Sequence, residues 1–129
     1  MIDEKKLYVS YIGKRRNNCY DLKIISAELD EKYLEFEIFY ETSNCVDTNN
    51  EHGYWAQQGA GGRIFKFDNS SLLFTTGDFR NRPLAQKLDS EFGKILKIDI
   101  QTNKAEVVSL GHRNPQGLFV YDDELIISS

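Results

Sequence analysis

The sequence is poor in the residues on which most metal, redox and nucleic-acid sites are built. Of its 129 residues only two are histidine and two are cysteine, and the cysteines lie far apart, at positions 19 and 45. Zinc and thiol redox sites need clusters of these side chains, so neither is expected. Acidic residues outnumber basic ones by 20 to 16, and the net charge of -4 argues against a nucleic-acid surface.

Long apolar runs are also missing. No stretch approaches the roughly 20 apolar residues that a membrane-spanning helix needs, so no span is expected. Residues 1–6 are charged and lack the apolar core of a signal peptide, so the sequence gives no compartment. Cys19 and Cys45 could pair in an oxidising space or remain two buried thiols, and the sequence leaves both open.

What the chain does contain is a succession of short β-type runs separated by polar turns. The runs cover residues 7–12, 19–29, 33–40, 63–67, 72–76, 94–100, 106–110, 118–121 and 124–128. This spacing predicts an all-β protein of antiparallel strands, and the clearest alternation predicts one apolar face for residues 33–40. A short helix is predicted around residues 84–91.

Two long loops interrupt the strands. Residues 41–61 carry no strand pattern, and their only large apolar groups are Tyr54 and Trp55. Loops of this length commonly have a function or are disordered. In the second loop, residues 77–92, we expect Asp78, Arg80 and Arg82 to form ion pairs; the alternative is that they face a ligand.

Residues 111–117, Gly-His-Arg-Asn-Pro-Gln-Gly, form a stiff connection between two of the predicted strands. Pro115 fixes its own backbone and biases Asn114 towards an extended conformation. Arg113 offers a planar fork of donors that suits a carboxylate, and Asn114 offers both a donor and an acceptor. The pair therefore suits a planar, carboxylate-bearing ligand. The alternative is that both side chains only tie down their own turn.

The segment 111–118 resembles the signature of the soluble pyrroloquinoline-quinone (PQQ) sugar dehydrogenases, the glucose/sorbosone dehydrogenase family. Further segments agree in order and spacing: 61–64 (GGRI), 73–78 (LFTTGD), 81–86 (NRPLAQ) and 93–98 (GKILKI). The motifs place the similarity over residues 58–129 and find none in the first 57. The family fold is a six-bladed β-propeller, so the resemblance implies about two blades of four-stranded antiparallel sheet.

The resemblance also implies how the blades divide the chain. Residues 1–129 form a single partial propeller domain, with part of a blade at 7–40, a complete blade at 62–110 and the start of the next at 118–129. A six-bladed ring needs several hundred residues, so we expect a fragment or an assembly of copies. Open blade edges present unpaired backbone groups and are expected to favour self-association.

In this family a sugar's C1 hydroxyl is oxidised and hydride passes to PQQ. Arg113 and Asn114 match the family's PQQ-contacting pair and are the predicted cofactor-binding residues. The family's catalytic histidine corresponds to residues 57–60, here Gln-Gln-Gly-Ala, so no catalytic residue is predicted. His52 lies upstream and would need a different loop path. The family also binds calcium beside PQQ, through ligands expected after Ser129, so no metal ligand is predicted in this chain.

Two functions follow from the resemblance, and the sequence does not decide between them. The first is a PQQ-dependent aldose or glucose dehydrogenase that acts on a small-molecule sugar. The second is a non-catalytic propeller module that binds a carbohydrate or a protein partner. The missing histidine favours the second, and the intact Arg-Asn motif favours the first. Members of the family are typically periplasmic or secreted.

Overall fold

The computed structural model describes residues 1–30, 32–47, 49–50, 58–122 and 124–128, and it confirms the all-β prediction. The predictions for His52, Tyr54, Trp55 and Gln57 concern positions outside the described residues. Strands follow one another with a single short helix, α1 (Arg82–Gln86), in the described part of the chain. The strands are β1 (Ile2–Asp3), β2 (Lys6–Arg16), β3 (Cys19–Glu28), β4 (Glu37–Glu41), β5 (Val46–Asp47), β6 (Gly61–Lys66), β7 (Ser71–Thr76), β8 (Lys94–Asp99), β9 (Ala105–Leu110), β10 (Gly117–Tyr121) and β11 (Glu124–Ser128).

These strands form three antiparallel sheets in chain order. In the first sheet the order is β1-β2-β3-β4, with β5 also paired to β3. The second sheet is a four-stranded meander, β6-β7-β8-β9, and the third is the hairpin β10-β11. Each strand pairs with its sequence neighbour, apart from β5, because short polar turns return the chain beside the strand it has just left.

The main core lies between the first and second sheets. Tyr8, Ile24 and Tyr40 of the first sheet pack with Phe74 and Leu96 of the second. The Tyr40 and Phe74 rings meet edge to face, with centroids 6.2 Å apart. The Tyr40 hydroxyl donates to the Glu91 carboxylate, and burial together with this bond raises the pKa of Tyr40. This contact joins the first sheet to the loop before β8.

Strand β7 is buried along its whole length because both of its faces are covered. Leu72 and Phe74 face the core shared with the first sheet. Leu73 lies on the opposite face, with Ile95 and with Leu118 of the hairpin. A strand packed on both faces needs no polar side, and this explains why residues 72–76 lack an apolar-polar alternation.

The single apolar face predicted for residues 33–40 is wrong. Strand β4 begins only at Glu37, and its register against β3 shifts between Ile38 and Tyr40. Phe39 falls in this bulge, so Phe39 and Tyr40 are both buried while Ile38 is 55% exposed. A bulge changes which residues point inward, and sequence alternation does not reveal its position.

The predicted loop 41–61 contains the short strand β5, which pairs with the beginning of β3. This pairing brings Cys45 to Cys19, and the two form a disulfide with their Cα atoms 5.4 Å apart. The bond resolves the question that the sequence left open. It joins two positions 26 residues apart and fastens the segment after β4 to the first sheet.

Within the described ranges no helix has the length and apolar content that crossing a bilayer requires.

Candidate functional site

Three loops meet at one end of the second sheet, and we call them the site loops: residues 58–60 before β6, 77–81 after β7 and 111–116 after β9. Backbone hydrogen bonds join them. The amide of Gly77 donates to the carbonyl of Ala60 at 2.6 Å, and the amide of Asp78 donates to the carbonyl of Arg113 at 2.9 Å. The site loops therefore form one connected unit.

The loops approach one another so closely that a side chain has no room at Gly77. A Cβ atom there would overlap the carbonyl group of Gly59 and lie 2.8 Å from the carbonyl carbon of Ala60. Because these are backbone atoms held by hydrogen bonds, neither can turn away. Gly77 is therefore required by close backbone approach.

Thr75 fastens the Arg-Asn loop to the sheet. Its buried hydroxyl donates to the carbonyl of Pro115 at 2.7 Å and accepts from the amide of Arg63 at 2.9 Å. His112 supports the same loop: its amide donates to the carbonyl of Gly93, and its ring Nε2 lies 2.8 Å from the Ser109 hydroxyl. Burial, with a smaller effect from Lys94, lowers the pKa of His112, so the ring is neutral at pH 7.

Asn114 connects its own loop to the start of β6 through its side chain. Its Oδ1 accepts a hydrogen bond from the amide of Gly61 at 3.1 Å. The side-chain amide group of Asn114 has no hydrogen-bond partner among the described residues. The oxygen therefore ties the loop that contains Asn114 to the start of β6, and the side-chain nitrogen remains available to another group.

Arg113 is held through its backbone and exposed through its side chain. Its carbonyl accepts from Asp78, whereas its guanidinium makes no hydrogen bond or ion pair with any residue in the described ranges. The cation therefore stands at the edge of the site loops, close enough to act on the pKa of Asp78 but not paired with it in the described structure.

A cleft of about 330 Å³ opens between the site loops. It is lined by Gln58, Gly59, Asp78, Arg80, Arg113 and Asn114. Each of the three loops contributes to the lining, so residues far apart in the chain meet around one space. This volume falls within the range of small-molecule clefts.

Asp78 is the buried charge of the cleft, at 2% exposure. Its Oδ1 accepts from the amide of Arg80 at 2.8 Å, and its Oδ2 is buried without a partner in the described structure. Burial raises the pKa of Asp78, although the Arg80 amide and the charges of Arg113 and Arg82 act in the opposite direction. The expected ion pairs of Asp78 with Arg80 and Arg82 do not form among the described residues, because Asp78 engages the backbone of Arg80 instead.

The backbone after Asp78 is held in an unusual conformation. Phe79 and Arg80 have φ angles of 50° and 63°, in the left-handed region that non-glycine residues seldom enter. Phe79 is nonetheless fixed there, because its ring is buried edge to face against Phe92, with centroids 5.4 Å apart. Strain that is held by packing beside a cleft is a feature of functional sites.

Lys94 is a buried residue near the site loops that was not identified from the sequence. Its side chain is fully buried, and its Nζ donates to the carbonyls of Leu84, Ala85 and Phe92 at 2.8 to 3.0 Å. Burial lowers the pKa of Lys94. A lysine at the start of a strand looks like a solvent-facing residue, so the sequence carried no signal of this role.

No group of three or more His, Cys, Asp or Glu side chains that could hold a metal ion occurs within the part of the chain that the structure describes.

Comparison with known proteins places this chain in a family. Residues 2–129 match the family described as Glucose / Sorbosone dehydrogenase. The match includes residues 2–57, where the motifs gave no resemblance. No curated protein sequence matches the chain.

Several solved structures share the fold. The soluble aldose sugar dehydrogenase from Escherichia coli, in its apo-form, is 21% identical, with a TM-score of 0.74 over 95% of this chain. A putative oxidoreductase (glucose dehydrogenase) from Thermus thermophilus is 28% identical, with a TM-score of 0.67 over 93% of this chain. The chain spans 38% of the length of each.

The family match and the shared architecture agree with the antiparallel sheets described above. The predicted propeller fold is therefore confirmed, with this chain covering about two blades of it. The chain belongs to the glucose/sorbosone dehydrogenase family.

Proposed function

We propose that this chain forms the part of a PQQ-dependent aldose dehydrogenase that holds one side of the quinone, with Arg113 and Asn114 as the cofactor-binding residues. The observation that carries the proposal is the guanidinium of Arg113, which is exposed at the cleft and has no partner among the described residues. A guanidinium on a fixed loop that makes no ion pair with the described residues is suited to an anionic ligand.

The chemistry of the cleft fits the carboxylates of PQQ. Arginine binds carboxylates through two parallel hydrogen bonds, and the side-chain amide of Asn114 can donate a third. Arg80 also lines the cleft, and the charge of Arg82 reaches Asp78. An anion at the Arg113 side of the cleft therefore meets positive charge, although the Asp78 carboxylate belongs to the same lining.

When bound, PQQ supplies the two-electron acceptor that oxidation of a sugar C1 hydroxyl requires. This chain's residues would bind and orient PQQ. Arg113 would pair with one of its carboxylates, and Asn114 would fix the geometry of the turn. The hydrogen bonds between the site loops hold Arg113 in place before the ligand arrives, which lowers the entropic cost of binding.

The cofactor and metal contacts that this chain lacks would be supplied by other blades of the proposed enzyme. We propose that β6 to β9 form a complete blade, that β2 to β4 belong to the preceding one, and that β10 and β11 begin the next. Calcium ligands and further cofactor contacts would come from other blades, supplied by more chain or by further copies. Exposed apolar residues on the outer sheets, such as Ile38, Phe119 and Tyr121, would be covered in that assembly.

A second candidate function is a non-catalytic module that binds a carbohydrate. It is favoured by residues 57–60, Gln-Gln-Gly-Ala, which correspond to the position of the family's histidine and offer no side chain able to act as a base. Reduction of a dye by glucose, in the presence of PQQ and calcium, is expected of the enzyme and not of the binding module.

Replacing Arg113 by alanine is expected to weaken PQQ binding at least tenfold while changing the free energy of unfolding by no more than about 0.5 kcal/mol. The guanidinium is exposed and makes no hydrogen bond or ion pair with the described residues, so its loss removes a ligand contact and little else. Titration of the full chain with PQQ, followed by absorbance, measures the first quantity, and urea unfolding measures the second.

Arg16→Ala is the matched control, because Arg16 is also an exposed arginine but ends β2 in the first sheet. It should leave PQQ binding unchanged. Equal binding by the Arg113→Ala variant and the unmodified chain would contradict the proposal. Unfolding of the domain by this substitution would show that the motif is structural.

A further inference from the structure

We propose that Lys94 is a positioning residue for the cofactor-binding loop: its buried ammonium group fixes α1 against residues 111–112 and so sets the place of Arg113. The inference rests on the proposed function for the ligand, PQQ. Lys94 is fully buried, so it acts through the backbone of the loop and not by touching the ligand. It lies outside the motif at 111–118 from which Arg113 and Asn114 were identified.

The first observation is that every donor of the Lys94 ammonium group is used inside the protein. Its Nζ donates to the carbonyl oxygens of Leu84 at 2.8 Å, Ala85 at 3.0 Å and Phe92 at 2.8 Å. A lysine has three donors, and all three are engaged. No ion pair among the described residues balances its charge. A buried cation is costly unless its hydrogen bonds are made, so these three carbonyls have to stay around it.

The carbonyl of Ala85 connects this ammonium group directly to the cofactor-binding loop. It accepts from Nζ of Lys94 and also from the amide of Gly111, each at 3.0 Å. A carbonyl oxygen has two lone pairs, so both bonds can form at once. Gly111 begins the loop, two residues before Arg113. The position of the end of α1 therefore determines where the loop starts.

Gly93, the residue before Lys94, makes a second connection to the same loop. Its carbonyl accepts from the amide of His112 at 3.1 Å, and its own amide donates to the carbonyl of Gly77 at 2.9 Å. A Cβ atom at Gly93 would lie 2.4 Å from the Cβ atom of Ala85 and 2.7 Å from the carbonyl oxygen of His112. The end of α1, the start of β8 and the loop are thus in direct contact. A shift of α1 is therefore passed on to the loop.

Arg113 depends on this backbone support because its side chain has none of its own. The guanidinium makes no hydrogen bond or ion pair with the described residues, so its direction is set by the backbone that carries it. That backbone is held by the bonds of Gly111 and His112 and by the bond from Asp78 to the carbonyl of Arg113. Loosening the first two would let the guanidinium leave the cleft.

The first test is hydrogen exchange, measured by NMR on the full chain without ligand. Lys94→Met keeps the length of the side chain but removes its charge and its three donors. We expect the amides of Gly111 and His112 to exchange about tenfold faster than in the unmodified chain, because their loop opens more easily. The buried amide of Leu22, in the first sheet, serves as the reference for unfolding of the whole chain.

Lys97→Met is the matched control, since it makes the same substitution in the same strand. Lys97 is only partly buried, and its Nζ lies 4.8 Å from the centre of the Phe67 ring. The exchange of the Gly111 and His112 amides, relative to that of the Leu22 amide, should stay unchanged in this variant. A merely structural role for Lys94 would speed all three amides alike.

The second test asks whether Lys94 acts through Arg113. Lys94→Met should weaken PQQ binding about tenfold in the unmodified chain. In a chain that already carries Arg113→Ala, the same substitution should change PQQ binding by no more than about twofold, because the side chain that Lys94 positions is gone. A loss of general stability would instead weaken binding equally in both chains.

Two measurements on the unmodified chain replace the variant if Lys94→Met fails to fold. Without ligand, the Lys94 ammonium protons and the amides of Gly111 and His112 should exchange with the same free energy of opening, because they belong to one unit. Saturation with PQQ should then slow the exchange of all three, since coupling between a ligand and the contacts that support it is reciprocal.

The inference is overturned if a folded Lys94→Met variant shows the amide exchange of Lys97→Met, if its effect on PQQ binding persists without Arg113, or if the ammonium group and the loop amides open independently. Titration of the unmodified chain with PQQ decides the quinone proposal by itself. If PQQ does not bind, that proposal fails, and exchange in the ligand-free chain still decides whether Lys94 positions the loop.

Discussion

Replacement of Gly77 by alanine is expected to lower the free energy of unfolding by about 3 kcal/mol or more. The added methyl group would overlap the carbonyl of Gly59, and the Gly77 amide is at the same time bonded to the carbonyl of Ala60. The chain has to break this contact between the site loops to make room. Urea unfolding followed by circular dichroism measures the change.

Gly62→Ala is the control for this prediction. Among the described residues a Cβ atom at Gly62 meets only the Ser10 hydroxyl oxygen, at 3.4 Å, so the cost there comes mainly from its φ of 101°. We expect about 1 kcal/mol, the usual cost of an alanine in such a conformation. Equal stability of the Gly77→Ala variant and the unmodified chain would show that the site loops do not pack as described.

Removal of the Cys19–Cys45 disulfide is expected to cost about 3 kcal/mol. The bond closes a loop between positions 26 residues apart, and cross-linking the unfolded chain over that distance removes much of its conformational freedom. The double variant Cys19→Ala/Cys45→Ala should therefore unfold at a lower urea concentration than the oxidised chain. Cys19 is buried, so part of the loss will come from packing.

Reductant provides the control for the disulfide. It should destabilise the unmodified chain by a similar amount and leave the double variant unchanged. A double variant as stable as the oxidised chain would contradict the prediction. Because disulfides persist in oxidising spaces, we propose that this chain folds in such a compartment.

The disulfide also illustrates a limit of sequence reasoning. Two cysteines in a chain without a compartment signal allow either a bond or two thiols, and the spacing does not choose. The choice depends on β5, a strand of two residues, Val46–Asp47, that pairs with the start of β3. A pairing that short carries no periodicity, so the sequence predicted a loop in its place.

The candidate site, too, could be predicted from the sequence only in part. Arg113 and Asn114 could be named from a seven-residue motif, since glycine and proline at fixed spacing predict a stiff loop whatever surrounds it. The sequence predicted ion pairs between Asp78 and neighbouring arginines, and these do not form in the described structure. The sequence shows the charge of Asp78, but it does not show that one carboxylate oxygen accepts a hydrogen bond from the Arg80 amide. Lys94 was missed because its carbonyl partners lie in α1 and in the loop before β8, and the sequence does not show that these segments surround its side chain.

The sequence by itself determined the all-β class, most strand positions and the family motif, because these depend on local alternation, turn residues and short spacing. Only the tertiary structure decided which faces are buried. A bulge in β4 turned Phe39 towards the core. Strand β7 is buried along its whole length because the first sheet covers one of its faces and the β10-β11 hairpin covers the other. Only the tertiary structure, likewise, brought residues 58–60, 77–81 and 111–116 around one cleft, because hydrogen bonds between segments up to 53 residues apart leave no local pattern in the chain.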